Sequence, residues 1–218
     1  MTLARPRALL FDWDNTLVDT WHTIHRALTA TFEAMGRTPW TLEQTRARVR
    51  ASARDSFPLL FGARAAEAAE IFYAAFESEH LTALRARAGA EEMLRALAAE
   101  AGLYLGVVSN KQGRLLRQEA EHLAWTEFFA RLVGAGDAAR DKPAAEAVEL
   151  ALDGAGMAPG PDVWFVGDTD IDMLCARDAG CVPVLLRAGA PADGEFSGME
   201  PRLHAPSCAA FLDTFQSL

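Results

Sequence analysis

The stretch LLFDWDNTLV, residues 9–18, decides how the chain is read. Ala8, Leu9, Leu10 and Phe11 form an apolar run that stops at Asp12, and a second acid, Asp14, follows two positions on. A short, continuously apolar run is the pattern of a strand covered on both faces, as in a parallel sheet. Two acids at its end repel each other unless positive charge lies between them.

Four further runs share the pattern: LYLGVVS (103–109), RLVGAG (131–136), VWFVGD (163–168) and CVPVLL (181–186). Helical periodicity fills the gaps. Met93, Leu94, Leu97, Ala98 and Ala101 lie on one face of a helix predicted over 89–101, which Gly102 stops. Further helices are predicted over 112–124, 143–153, 170–179 and 207–217, with 187–206 irregular. Strands alternating with helices predict a Rossmann-like α/β fold, a three-layer core with a parallel sheet.

One interval breaks the alternation. About seventy residues separate the first two strands, where a crossover needs only one helix. Trp21, Ile24, Leu28, Phe32 and Met35 recur at helical spacing, predicting a helix over 20–35. Residues 41–52 and 63–86 read as two more, punctuated by GRTP (36–39) and FPLLFG (57–62). The chain therefore divides into an α/β core, 1–19 with 88–218, and an inserted all-helical domain, 20–87. Trp21 and Phe32 read as core of that insertion.

The bulk composition narrows the function. Of 218 residues, 50% are hydrophobic and 23% charged, enough apolar content for a packed core. A formal net charge of −9 argues against a general nucleic-acid binder. Cys175, Cys181 and Cys208 are odd in number and lack CxxC spacing, so they read as small buried thiols. No run approaches the length of a membrane span, and Asp12 and Asp14 interrupt any leader-like stretch, so a cytoplasmic location is expected. The five histidines show no ligand spacing and read as insertion or surface residues; Lys111 reads as a surface lysine.

In open α/β sheets, ligands bind at the carboxyl ends of the strands. The first strand ends in Asp12 and Asp14, the second in Ser109 and Asn110, and the fourth in Asp168; the loop after the third reaches Lys142. Three acids at neighbouring strand ends call for a cation, and hard carboxylate oxygens suit Mg²⁺. Lys142 with the Ser109–Asn110 pair would complete a site for a small dianion. Thr169 and Asp172, three apart at a helix start, make a capping-box pattern.

FDWDNTLVDT, VVSNK, DKP and FVGDTDIDM resemble, in order and spacing, the four motifs of the haloacid dehalogenase-like hydrolase superfamily. The layout is similar to its phosphoglycolate-phosphatase-like members with a helical cap. Two positions depart from the usual pattern: Asn15 stands where Gly is common, and Trp13 where Leu or a similar residue is. The resemblance implies a Mg²⁺-dependent phosphatase, Mn²⁺ being the other candidate metal, acting on a small phosphorylated metabolite through an aspartyl phosphate. Asp12 would be the nucleophile and Asp14 the general acid and base. Asp12, Asp168 and the Asp14 backbone carbonyl would hold the metal. Thr16, Ser109, Asn110 and Lys142 would bind the phosphate, Thr16 also bonding within the turn and Lys142 neutralising both the nucleophile and the transferred group, with Asp172 behind them. Arg50 and Arg54, in the cap loop VRASARD (49–55), are candidates for a second anionic group of the substrate.

Dehalogenases and phosphonatases of the superfamily lack the second acid, and 20–87 contains none of the lysines a phosphonatase cap would use. A phosphoglucomutase-like transferase keeps both acids and stays open. A non-catalytic phosphate-binding or regulatory module on the same fold is the third reading.

Overall fold

The computed structural model describes residues 3–218. β1 (Ala8–Phe11) is a central strand of a six-stranded parallel sheet. Successive side chains of a strand point to opposite faces. Leu9 and Phe11 accordingly join one apolar cluster and Ala8 and Leu10 another, all with no solvent exposure. Burial of each large side chain contributes roughly 1.5–3 kcal/mol, so β1 is fixed from both sides.

The chain next forms β2 (Val18–Asp19), then α1 (Trp21–Ala34), α2 (Leu42–Arg48), α3 (Ala53–Phe61), α4 (Ala65–Glu77) and α5 (His80–Ala83), and returns through β3 (Arg85–Ala86). β2 and β3 pair antiparallel, Val18 with Ala86 and Asp19 with Arg85. The insertion thus leaves and re-enters the core through one two-stranded ribbon. Phe32, Phe57 and Phe61 centre its own apolar cluster.

The remainder is α6 (Ala90–Ala98), β4 (Tyr104–Gln112), α7 (Gly113–His122), β5 (Arg131–Ala135), α8 (Glu146–Leu152), β6 (Val163–Gly167), α9 (Asp170–Asp178), β7 (Val182–Leu186), β8 (Leu203–Ala205) and α10 (Cys208–Gln216). The strand order is β5-β4-β1-β6-β7-β8. β1 lies between β4 and β6, the topological switch point at which such sheets open a crevice. Asp12, Ser109 and Asp168 come from these three neighbours. The three cysteines are buried and free, and burial pushes the Cys175 thiol up to about 12. Among the described residues, no helix is long and apolar enough to cross a membrane.

Several predicted boundaries shift. The helix predicted over 41–52 ends at Arg48, because Val49 turns extended and Ser52 caps a new helix, α3. FPLLFG, read as punctuation, lies largely inside α3, which tolerates Pro58 because Phe57 and Phe61 are buried in the insertion's core. The helix predicted over 63–86 breaks into a 3₁₀ turn, α4, α5 and β3. Pro143 does not open α8: it follows a cis peptide bond in a turn, and α8 begins at Glu146. The segment 187–206 contains an edge strand, β8, too short for any period to show.

Candidate active site

Ser109, Asn110 and Lys111 lie on an irregular end of β4, where the register with β5 slips between Val108 and Gln112. Asp12 and Asp168 leave β1 and β6 on the same edge. After Asp12 the chain turns sharply, with Leu17 N–H donating to the Trp13 carbonyl at 2.9 Å. Asn15 takes φ +66° in this turn. Asn adopts this left-handed region more readily than most residues, which accounts for its standing in a glycine position. Its Oδ1 accepts from the Thr20 N–H at 3.2 Å.

At the centre is the Lys142 ammonium, almost wholly buried. It donates to Asp12 Oδ1 at 2.6 Å and to Asp172 Oδ1 at 2.8 Å. The other oxygen of Asp172 accepts from the backbone N–H groups of Asp168 (3.2 Å) and Thr169 (3.1 Å) and from the Thr169 hydroxyl (2.9 Å). Asp172 therefore joins the N-terminus of α9 to Lys142. Thr16 Oγ1 lies 3.2 Å from Asp12 Oδ2 and 3.3 Å from Asp168 Oδ1, so one hydroxyl proton serves two acids. Carboxylate oxygens of Asp12, Asp168 and Asp172 all lie within 4.8 Å of one another.

Three acids share one ammonium here, and the charge does not balance. Burial, opposed by Lys142 but reinforced by Asp172 and Asp14, pushes the Asp12 carboxyl up to about 7. Burial and the neighbouring Asp172 and Asp12 push Asp168 well above the usual carboxylate range. Lys142 is held firmly charged: its two carboxylates outweigh desolvation. Such crowding of hard oxygens around a deficit of positive charge fits a divalent cation.

Asp14 points away from this cluster. Its Oδ1 accepts from Thr20 Oγ1 at 2.7 Å and pairs with Lys111 Nζ at 2.9 Å. Lys111 is not a surface lysine. It is buried, its Nζ sits 4.5 Å from the Phe76 ring centroid, and it pairs with Glu119 Oε1 at 2.8 Å. Glu119 is fully buried and also accepts from the Trp13 indole N–H (2.7 Å); its Oε1 lies 3.0 Å from His80 Nδ1. Attraction from Lys111 and these donors outweigh desolvation and hold the Glu119 carboxyl below its usual value. His80 is thus no surface residue, and Trp13 has a reason to be Trp: its ring packs edge-on to Trp125 while its N–H serves Glu119. The sequence carried a signal for this network. Glu119 falls three and four positions after Leu116 and Leu115, on the buried stripe of α7, and a buried acid demands partners.

The other predicted residues are placed as follows. Ser109 is buried, and its Oγ accepts from the Lys111 N–H at 3.2 Å. Asn110 Nδ2 donates to the carbonyls of Arg50 and Lys142, both at 3.2 Å, so this side chain ties the insertion to the core. Arg50 Nε pairs with Asp170 at 2.9 Å. Arg54 pairs with Asp141 at 2.9 Å, beside Lys142 in sequence but away from the cavity that Arg50 lines. Trp21 is half-buried and walls that cavity rather than filling the insertion's core, whereas Phe32 is core.

Gly167 was not singled out by sequence. A Cβ there would stand 2.3 Å from Asp172 Cγ. Gly167→Ala should therefore push Asp172 off Lys142 and lower kcat by about 10- to 100-fold while the far-ultraviolet circular dichroism stays native; an unchanged kcat would show that Asp172 has room to move.

The family model for haloacid dehalogenase-like hydrolase matches residues 9–185. The chain is 33% identical over 179 residues to a phosphoglycolate phosphatase of Xanthomonas campestris pv. campestris, covering 80% of each chain. It is 31% identical over 195 residues to the N-acetylmuramic acid 6-phosphate phosphatase of Pseudomonas aeruginosa, covering 87% of this chain and 85% of that one. The fold superposes with a TM-score of 0.82 on a haloacid dehalogenase-like hydrolase from Streptococcus pneumoniae, at 24% identity over 96% of this chain and 98% of the other. Four motifs meeting at one sheet edge, and likeness along most of the chain, agree: the chain belongs to the haloacid dehalogenase-like hydrolase family, among its phosphoglycolate-phosphatase-like members.

Proposed function

We propose that the chain is a Mg²⁺-dependent phosphatase that hydrolyses a small organic phosphate monoester through an aspartyl phosphate on Asp12. The observation that carries this reading is the buried Asp12–Lys142–Asp172 array with Asp168 beside it. The clustered carboxylates of Asp12 and Asp168 fit a divalent cation, which they would hold together with the Asp14 carbonyl. When bound, the cation lowers the repulsion between the site's carboxylates and an anionic phosphate.

Lys142 fixes the Asp12 carboxylate and offsets part of its charge. An oxygen of Asp12 attacks phosphorus, and the phosphorus–oxygen bond to the alcohol breaks in line. Asp14 gives its proton to the departing alkoxide. Asp14, again a carboxylate, then takes a proton from water as that water attacks phosphorus; phosphate leaves and the Asp12 carboxylate is restored. Ser109 keeps its hydroxyl proton free for a phosphate oxygen. Residues 20–87 act as a cap on the β2–β3 ribbon, closing over the substrate and reopening for release.

Steady-state release of inorganic phosphate from p-nitrophenyl phosphate tests this. Turnover in Mg²⁺ in excess over enzyme, lost on chelation, is the expected result. No turnover on any phosphate monoester, or full rate in chelator, would contradict it.

Metal binding has its own signature. The folded-state Asp12 carboxyl sits at about 7 against 3.8, so metal-free folded protein binds protons more tightly than unfolded chain. Its stability therefore falls as pH rises from about 4 to about 7. Mg²⁺ competes with those protons, so the rise in Tm on adding Mg²⁺ should be larger near pH 8 than near pH 5. Differential scanning calorimetry would measure it; an equal rise at both ends would separate the cation from Asp12 and Asp168.

A further inference from the structure

The catalytic acids line a cavity shared between the sheet edge and the insertion. Beyond Asp12 and Lys142 its wall changes character. Trp21, Ile24, Val49, Phe72, Tyr73 and Phe76 line it. All but Phe76 are only half-buried, so apolar surface stays open to whatever enters.

The cations of the same wall are engaged. Lys111 is neutralised by Asp14 and Glu119. Arg50 pairs with Asp170, and its Nη1 donates to the carbonyls of Arg46 and Val49. Arg48 is exposed, with its guanidinium 5.2 Å from the Trp40 ring centroid, and an exposed arginine gives a carboxylate little net attraction. A second anionic group on the substrate would find, among the described residues lining the cavity, no buried and unengaged cation beyond the phosphate site, and desolvating it there is costly. A two-carbon acid such as glycolate would also leave the aromatic end of the cavity unfilled.

From this, resting on the phosphatase reading above, we infer that the preferred substrate is the phosphate monoester of an alcohol with an apolar, ring-sized body. Its phosphate sits at Asp12, and its body lies against Trp21, Phe72 and Tyr73. The wall removes the body from water in ground and transition state alike, so the preference enters mainly through KM.

A matched pair of primary alkyl phosphates tests this without altering the leaving group's chemistry: ethyl phosphate against 2-phenylethyl phosphate, with 2-phosphoglycolate as the anionic competitor. The native chain with Mg²⁺ should show kcat/KM at least about tenfold higher for 2-phenylethyl phosphate than for either other ester. Phe72→Gln should reduce that ratio. Phe72 also packs on Phe57, so Val49→Asn, in the loop after α2, supplies a second variant with a milder demand on folding. Equal efficiency on the matched pair, preference for 2-phosphoglycolate, or an unchanged ratio in the folded variants would overturn the inference and leave the phosphatase reading standing. Absence of turnover on all three esters and on p-nitrophenyl phosphate would remove both.

Discussion

Asp12→Asn should lower kcat by at least about 10⁴-fold, because an amide of the same shape cannot attack phosphorus and no neighbouring group can replace it. Asp14 faces Lys111 and Thr20, and Asp172 is held by Lys142 and the start of α9. The fold should survive and gain. At pH 7.5 or thereabouts the native Asp12 bears a charge that burial, Asp172 and Asp14 together disfavour, which is why its carboxyl is pushed up to about 7. The neutral amide carries no such cost above the ordinary carboxylate range. Metal-free Asp12→Asn should therefore melt no lower than metal-free native protein near neutral pH, and Mg²⁺ should raise its Tm less. Loss of rate with gain of stability is the expected mark of a catalytic acid held in an unfavourable place. Stopped-assay kinetics and calorimetry on the same preparations would show it; near-native turnover in the variant would rule Asp12 out as nucleophile.

The second large effect concerns Glu119, which touches no part of the Asp12 cluster. Glu119→Leu leaves the Lys111 ammonium, the Trp13 indole N–H and His80 buried without their shared acceptor. Breaking a buried pair in this way costs about 3–5 kcal/mol. At about 2–4 °C per kcal/mol for a chain of this size, Tm should fall by roughly 10 °C. The double variant Lys111→Met, Glu119→Leu removes both charges and should regain much of that loss, since apolar replacement of a buried ion pair is often near neutral. It should not regain activity. Without Lys111, Asp14 loses the 2.9 Å contact that fixes its carboxylate, and kcat should stay down by about 10²-fold. A double variant that is both stable and fully active would reduce the network to packing.

The legible part of the fold was the part with period. The five continuous apolar runs became five parallel strands, and the long helical interval between the first two became the insertion between β2 and β3. β8 escaped because three residues at a sheet edge carry no pattern. The β2–β3 ribbon escaped because its two-residue strands are set by pairing across about seventy residues of chain. Within the site, residues at strand ends were readable because a sheet edge collects them: Asp12 and Asp168 converge there, and Lys142 reaches them from the loop after β5. Lys111 and Glu119 were harder. A lysine next to a strand end is ordinarily solvated, and Glu119 lies at no strand end and in none of the motifs. Only the pairing of Glu119's place on the apolar face of α7 with the unusual Trp13 would have revealed a buried acid and its donors. Arg50 and Arg54 present the opposite case. Their charge is visible in the sequence, but their partners, Asp170 at the start of α9 and Asp141 in the loop before Lys142, are brought near only by the folded chain.

Under the proposed mechanism, Asp12 attacks phosphorus beside a cation that it would share with Asp168. A crystal grown with Mn²⁺ and beryllium fluoride, measured at the manganese absorption edge, tests it most directly. The claim predicts an anomalous peak in contact with both carboxylates and a trifluoroberyllate group bonded to an oxygen of Asp12. Manganese bound away from Asp12 and Asp168, or the beryllium adduct on any other side chain, would contradict it.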